Sequence, residues 1–345
     1  MKTFNQDKLN QIIEAVTGKK HIYGAVFHLS TGDGSQTWCG AAGNLKIDSR
    51  YYIASINKLF ISSIILRLID EGRLSFDDSL SKYLPEDLMT GLHVYKGHDY
   101  SNEITILHML SQTSGLPCYL LDKPQNGISG MQELEAGMDQ AWPAERVIER
   151  IKTLEPHFPP GEGNQAKYID TNHQLLNLVI ENVMEMPVQS VLNQLFANLG
   201  MSNTYVCEDL NDVGYVLAYF QDRQVNISKY LTSTKNDIIS TAPDLMRFIK
   251  AFFSGYFYPK EKLKTLEKWK PIFFPFHYGI GIQKFYMPRY LSPFKAVPDM
   301  LGHCGSTGVV AFYIPDMDLY ITGTTNQGAR PNIAFQAMIK MVHAL

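Results

Sequence analysis

The sequence predicts an α+β fold, in which an antiparallel β-sheet is flanked by helices and joined to an all-helical subdomain. Three observations carry this. Strand-like alternation is confined to the two ends of the 345-residue chain, the middle reads as successive helices, and a nearly all-apolar helix follows the first hairpin. Sheet faces and helix stripes must bury their apolar sides against each other, so chain ends that both read as strands assemble one sheet and leave the helical stretch as an insertion. The expected division is a discontinuous sheet domain, residues 1–83 and 233–345, and a helical subdomain, residues 84–232. A binding site forms naturally at their junction.

Taken in order, Leu9, Ile12, Ile13 and Val16 mark one face of an N-terminal helix that Gly18 is placed to end. Residues 21–30 read as a strand, Thr31-Gly32-Asp33-Gly34 as a turn, and residues 35–42 as the returning strand of a hairpin. From residue 55 to residue 71 the pattern is apolar nearly all round, with Gly72 behind it, which makes this helix central and buried. Helical segments then cover residues 104–110, 144–154, 172–183 and 188–199, separated by loops bearing Pro and Gly. After a further helix over 243–253, strand signals return over 278–285 and in the hairpin 309–314 and 319–324 around Pro315-Asp316-Met317-Asp318. Phe335, Met338, Ile339 and Val342 share one face of a closing helix.

Composition narrows the function. The 31 basic and 34 acidic side chains leave a net charge of -3, without the basic stripe a phosphate-binding surface needs, which argues against a nucleic-acid partner. The most apolar run, residues 59–69, is too short to cross a bilayer and contains Ser62, Ser63 and Arg67, so no membrane span is expected. The start, Met1-Lys2-Thr3-Phe4-Asn5-Gln6-Asp7, lacks the apolar core of a signal peptide, and a cytoplasmic location is expected. Cys39, Cys118, Cys207 and Cys304 are scattered without a CxxC pair, as reduced thiols are. The histidines are dispersed, with no His-Glu-x-x-His and no tight carboxylate cluster, so neither a metal nor a cofactor is expected. The absence of a Gly-x-Ser-x-Gly elbow argues against an α/β-hydrolase.

A serine hydroxyl needs a nearby base to act as a nucleophile, and its acyl intermediate needs hydrogen-bond donors for the oxyanion. Ser55-Ile56-Asn57-Lys58 offers both, because residues three apart share a helix face and a helix N-terminus favours developing negative charge. The same pattern occurs in Ser79-Leu80-Ser81-Lys82 and Ser292-Pro293-Phe294-Lys295. Only the Ser55 copy opens a long buried helix after an extended apolar approach, Tyr51-Tyr52-Ile53-Ala54. The plain alternative for Ser55 is a helix N-cap, with Lys58 a solvated helix residue.

Two further segments decide the matter: Lys167-Tyr168-Ile169-Asp170-Thr171-Asn172 and Gly302-His303-Cys304-Gly305-Ser306-Thr307-Gly308. With Ser55 and Lys58 they resemble the motif set of the class C β-lactamase and DD-peptidase superfamily, namely Ser-x-x-Lys, Tyr-x-Asn, and Lys/His-x-Gly on an edge strand. The resemblance implies a β-lactamase/transpeptidase-like fold and a serine hydrolase that forms an acyl-enzyme on an ester or amide of a small molecule or short peptide. It implies Ser55 as nucleophile, Lys58 and Tyr168 as the proton-transfer pair, and the backbone amides of Ser55 and Ser306 as the oxyanion hole. His303, Gly305 and Asp170 would line the site.

Three departures bear on specificity. His303-Cys304-Gly305 stands where β-lactamases commonly have Lys-Thr-Gly, which alters the positive charge and the hydroxyl that hold a substrate carboxylate. Asp170 replaces the usual Asn, and a carboxylate near Lys58 favours the charged ammonium and shifts the base role towards Tyr168. The missing export signal argues against a cell-wall substrate. The rival reading from another class is a binding or regulatory protein that retains the fold without turnover.

Overall fold

The computed structural model describes residues 3–293 and 295–345. The first two residues of the segment read for an export signal, and Phe294 of the third Ser-x-x-Lys copy, lie outside them. The described residues form an eight-stranded antiparallel sheet, which runs from edge to edge through Lys270–Phe273, Phe276–Tyr278, Gln283–Phe285, Met300–Gly305, Val309–Ile314, Leu319–Thr324, Gly24–Thr31 and Thr37–Gly43. Both chain ends contribute, and the register Val26↔Thr324 to Thr31↔Leu319 joins them.

The two faces of this sheet are covered differently. Phe27, Leu29, Phe312 and Ile321 point to one side, where the terminal helices Gln6–Thr17 and Asn332–Ala344 pack on them with Leu9, Ile13, Met338 and Met341. Val26, Val309, Ala311 and Tyr320, one residue out of phase, point to the other side and join the larger core. That period of two is the pleat, and burial on both faces explains why Val309–Ile314 reads as a continuous apolar run.

Helix Asn57–Asp70 lies within the larger core, buried nearly all round, between the sheet and the helices contributed by residues 84–232. It crosses Ala242–Ser254, where Phe60 and Phe248 stack with ring centroids 3.6 Å apart. Helices Ile106–Leu110, Ala144–Lys152, Thr171–Met184 and Val188–Asn198 stand where the periodicity placed them.

Residues 278–285, read as one strand, are the ends of two. Phe276–Tyr278 pairs with Gln283–Phe285 across a turn containing Gly279 and Gly281. Gly281 has φ +73°, and a Cβ there would sit 2.9 Å from the Cβ of Ser62 on the central helix. The turn therefore needs glycine twice over, for its backbone and for its approach to the helix.

Phe60 and Phe248 are both fully buried. Phe248→Ala is expected to lower unfolding stability by about 3–5 kcal/mol, the cost of emptying an aromatic core site, read from the shift in urea midpoint.

Candidate active site

Ser55 sits where an edge of sheet becomes the central helix. Tyr51–Tyr52 pairs with Ile238–Ser240, and the Ile53 amide donates to the Ile238 carbonyl at 3.1 Å. The chain then turns sharply. Ala54 has φ +49°, a left-handed conformation that costs a non-glycine residue about 1–2 kcal/mol. Ala54–Ile56 forms a 3₁₀ turn that runs into helix Asn57–Asp70. Ser55 does not cap this helix, whose N-terminus has no side-chain cap bond. The copy at Ser79 shows the contrast. There the serine accepts from the Ser81 amide as a cap, and Lys82 is an exposed residue paired with Asp78.

Gly305 explains part of the third motif. A Cβ at this position would lie 2.6 Å from the Ile53 carbonyl oxygen and 3.0 Å from the Ala54 Cβ. The strand Met300–Gly305 thus presses on the strained turn that presents Ser55, and only glycine permits that distance.

Lys58 reaches back one turn. Its Nζ donates to Ser55 Oγ at 3.1 Å and lies 2.6 Å from Asp170 Oδ1, with both charged side chains almost fully buried. Burial pulls the Lys58 pKa down, but the charge and hydrogen bond of Asp170 outweigh it, and the net displacement is upward. Asp170 precedes helix Thr171–Met184 without capping it, and its second oxygen accepts from the Cys118 thiol at 3.3 Å. Tyr168 is close by, with its ring centroid 5.2 Å from Lys58 Nζ. Its hydroxyl is buried without a hydrogen-bond partner. Burial and then the Asp170 charge push its pKa well above the ordinary phenol value, while Ser55 acts in the opposite direction.

His303 has no exposed surface and stands on Met300–Gly305, which is an interior strand and not the expected edge strand, because Gln283–Phe285 and the strand beyond it pair along its outer side. Its Nδ1 lies 2.8 Å from the Cys304 carbonyl and its Nε2 3.2 Å from the Tyr278 hydroxyl. A carbonyl only accepts, so Nδ1 carries the proton and Nε2 accepts from Tyr278. Burial, reinforced by the Lys58 charge, drives the His303 pKa down to about 3, and the ring is neutral. The Cys304 thiol donates to Gln283 and is pushed by burial up to about 12. Asn172, from the second motif, braces the fold instead of facing the site. It accepts from Ser114 at 2.7 Å and donates to Gln112 at 3.0 Å.

Ser55, Lys58, Asp170 and Ser306 line one cavity of about 1000 Å³, counting its open mouth. Tyr52, Tyr119, Tyr215, Tyr219, Phe220 and Tyr230 contribute aromatic rings to its walls. Met131, Leu134 and Glu135 enter from helix Gly130–Glu135. A capping box, Ser129 with Gln132, was the local signal for that short helix. Asp237 carries no motif and was not legible. It is buried, lines the cavity, and accepts from Tyr52 at 2.8 Å, Asn57 at 3.0 Å and Thr234 at 2.6 Å. Burial, only partly offset by these hydrogen bonds, raises its pKa to about 6. No group of three or more metal-ligating side chains occurs among the described residues. No helix among them is long and apolar enough to cross a membrane.

An antiparallel sheet against a buried helix that carries Ser-x-x-Lys at its head defines a class, the serine hydrolases of the penicillin-recognising type. The chain belongs to the Beta-lactamase family, whose model matches residues 9–339. Protein flp of Staphylococcus aureus (strain N315) is 30% identical over 209 residues, which cover 58% of this chain and 38% of that protein. The match thus spans well under half the length of that curated relative. Among solved structures, a D-stereospecific amidohydrolase from Streptomyces sp. is 24% identical with a TM-score of 0.76, covering 96% of this chain and 98% of its own. The D-amino acid amidase from Ochrobactrum anthropi SV3, complexed with L-phenylalanine amide, is 18% identical with a TM-score of 0.79, and 98% of each chain is covered. At these identities the two structures share the fold.

The Lys58–Asp170 pair yields a stability prediction. Lys58→Met leaves a buried carboxylate unpaired and is expected to cost about 3–5 kcal/mol, whereas Lys58→Met with Asp170→Leu costs much less, as compared by chemical denaturation.

Proposed function

We propose that this protein hydrolyses an ester or amide bond of a small molecule or short peptide through an acyl-enzyme on Ser55. One observation carries the reading. Ser55 Oγ accepts a hydrogen bond from a buried lysine at 3.1 Å while the serine itself stays partly exposed in the wall of the cavity. In the proposed cycle Ser55 Oγ attacks the substrate carbonyl as its proton departs, and the backbone N–H groups of Ser55 and Ser306 stabilise the oxyanion. Collapse expels the alcohol or amine, which takes up that proton. A water then attacks the acyl ester, releasing the acid and restoring the Ser55 hydroxyl.

At rest both proton-transfer candidates hold their protons. Asp170 keeps Lys58 charged, and burial together with the Asp170 charge keeps Tyr168 a neutral phenol. One must deprotonate before it accepts from Ser55, and ionised Tyr168 beside the Lys58 ammonium forms an ion pair. Tyr168 is therefore assigned as the base, with Lys58 as its electrostatic partner.

Intact-mass measurement after treatment with a fluorophosphonate tests the nucleophile. A stoichiometric adduct that is absent from Ser55→Ala supports the reading, and a protein that no acylating probe modifies is a binding protein instead. Tyr168→Phe is expected to slow acylation by about 10²–10⁴-fold, and Asp170→Asn far less. Because the base works deprotonated and its pKa is raised, kcat/KM is expected to climb with pH past about 9. Asp170→Asn removes a carboxylate that holds both groups protonated, so it should move that rise to lower pH. A plateau already reached at neutral pH in the unmodified enzyme contradicts the assignment.

A further inference from the structure

Ser55 is carried by a turn with little local support. Ala54 is left-handed at φ +49°, and neither the 3₁₀ turn Ala54–Ile56 nor helix Asn57–Asp70 has a side-chain cap bond at its head. Contacts from distant parts of the chain must fix it. The third motif supplies some of them, through Gly305 and through the Thr307 hydroxyl, which donates to the Tyr52 carbonyl at 3.3 Å.

The buried carboxylate of Asp237 supplies the rest. Its Oδ1 accepts from the Tyr52 hydroxyl at 2.8 Å, three residues before Ser55, and from Asn57 Nδ2 at 3.0 Å, two residues after it. One oxygen atom thus closes residues 52–57 into a loop. Asp237 is itself anchored, since Oδ2 accepts from Thr234 at 2.6 Å and its carbonyl accepts from the Cys207 amide at 2.9 Å. The strand that follows it, Ile238–Ser240, is the middle one of three, between Tyr51–Tyr52 and Tyr205–Val206.

We infer that Asp237 is a positioning residue for the nucleophile, acting through Tyr52 and Asn57 to clasp the turn that presents Ser55. This inference rests on the hydrolase reading above, whose cycle gives Tyr52, Asn57 and Asp237 no part. Hydrogen bonds to an ionised carboxylate are about twice as strong as neutral ones, so the clasp is tight when Asp237 is charged and slack when it is protonated.

That charge is costly. Burial raises the Asp237 pKa from the ordinary 3.8 to about 6, against the pull of its donors. A proton on Asp237 therefore stabilises the fold below pH 3.8, and this contribution is lost as pH rises through about 6. A purely structural residue would be better neutral at physiological pH. The other titratable groups around Asp237 are Tyr52, Lys58, Tyr119, Asp170, Cys207 and Tyr230. Burial raises the three phenols and the thiol, and Lys58 lies net upward, so these five keep their protons through the neutral range. Asp170 is common to the unmodified protein and its Asp237 variant, and a ratio of their rates cancels it.

The test follows phosphonylation of Ser55 by a fluorophosphonate between about pH 5 and 8 in the unmodified protein, Asp237→Asn and Tyr52→Phe. At the alkaline end Asp237→Asn, which keeps the shape and removes the charge, is expected to react about tenfold more slowly at saturating reagent, with the half-saturating concentration little changed. Its urea midpoint at neutral pH should be no lower than that of the unmodified protein. The ratio of the two rates should fall towards one as pH drops through about 6, because protonated Asp237 and the amide are both neutral acceptors. Tyr52→Phe keeps the charge but cuts one arm of the clasp, and is also expected to slow the reaction about tenfold, with the double variant little slower than either single one. A pH-independent ratio, with or without lost stability, overturns the inference, as does Tyr52→Phe at the unmodified rate. Hydrogen exchange reads the clasp without chemistry: amides of residues 53–57 are expected to exchange at least about fivefold faster in both variants, and unchanged exchange overturns the inference as well. If no fluorophosphonate labels Ser55 while exchange quickens in the variants, the hydrolase reading fails and the clasp stands.

Discussion

The rest of the site depends on the buried contact between Lys58 and Asp170. It joins the central helix, which belongs to the first part of the chain, to the start of helix Thr171–Met184 in the helical block. Two opposite charges in so dry a place are each costly alone and tolerable together, so the contact fixes how those helices meet. Everything nearby answers to it. The Cys118 thiol completes the Asp170 carboxylate, Tyr168 stays protonated in its field, and the Lys58 charge adds to burial in keeping His303 neutral.

That electrostatic arrangement separates this chain from the Lys-Thr-Gly members it resembles. A lysine at the first position of that motif offers a permanent charge to a substrate carboxylate. His303 does not, because it is buried, neutral and bonded to Tyr278 and to the Cys304 carbonyl. It does not line the cavity, to which the helical block contributes Tyr119, Tyr215, Tyr219, Phe220 and Tyr230.

Much of this was legible from residue patterns, and the exceptions have physical reasons. The central helix, the terminal helices and the last hairpin carry long periodic signals that tertiary packing reinforces. Ser55 and Lys58 stood out from two other copies of the same spacing because only theirs leads into a long, nearly all-apolar helix. Asp237 was not, because it arrives when Ile238–Ser240 pairs with Tyr51–Tyr52, a partnership no local pattern records. The segment over 278–285 failed for the opposite reason. Its alternation was real, but Gly279 and Gly281 fold it back on itself, and the close approach to Ser62 that demands Gly281 exists only in three dimensions.

The sheet's strand order also governs how the chain can be made. Gly24–Thr31 is an interior strand only because Leu319–Thr324 lies against it. During synthesis, the N-terminal hairpin emerges long before that neighbour exists, with one edge of unpaired amides and carbonyls open to any passing strand. Such distant pairing is slow to form and leaves the nascent chain prone to aggregation, so a chaperone that shields this first hairpin would serve the yield of folded protein more than its final stability.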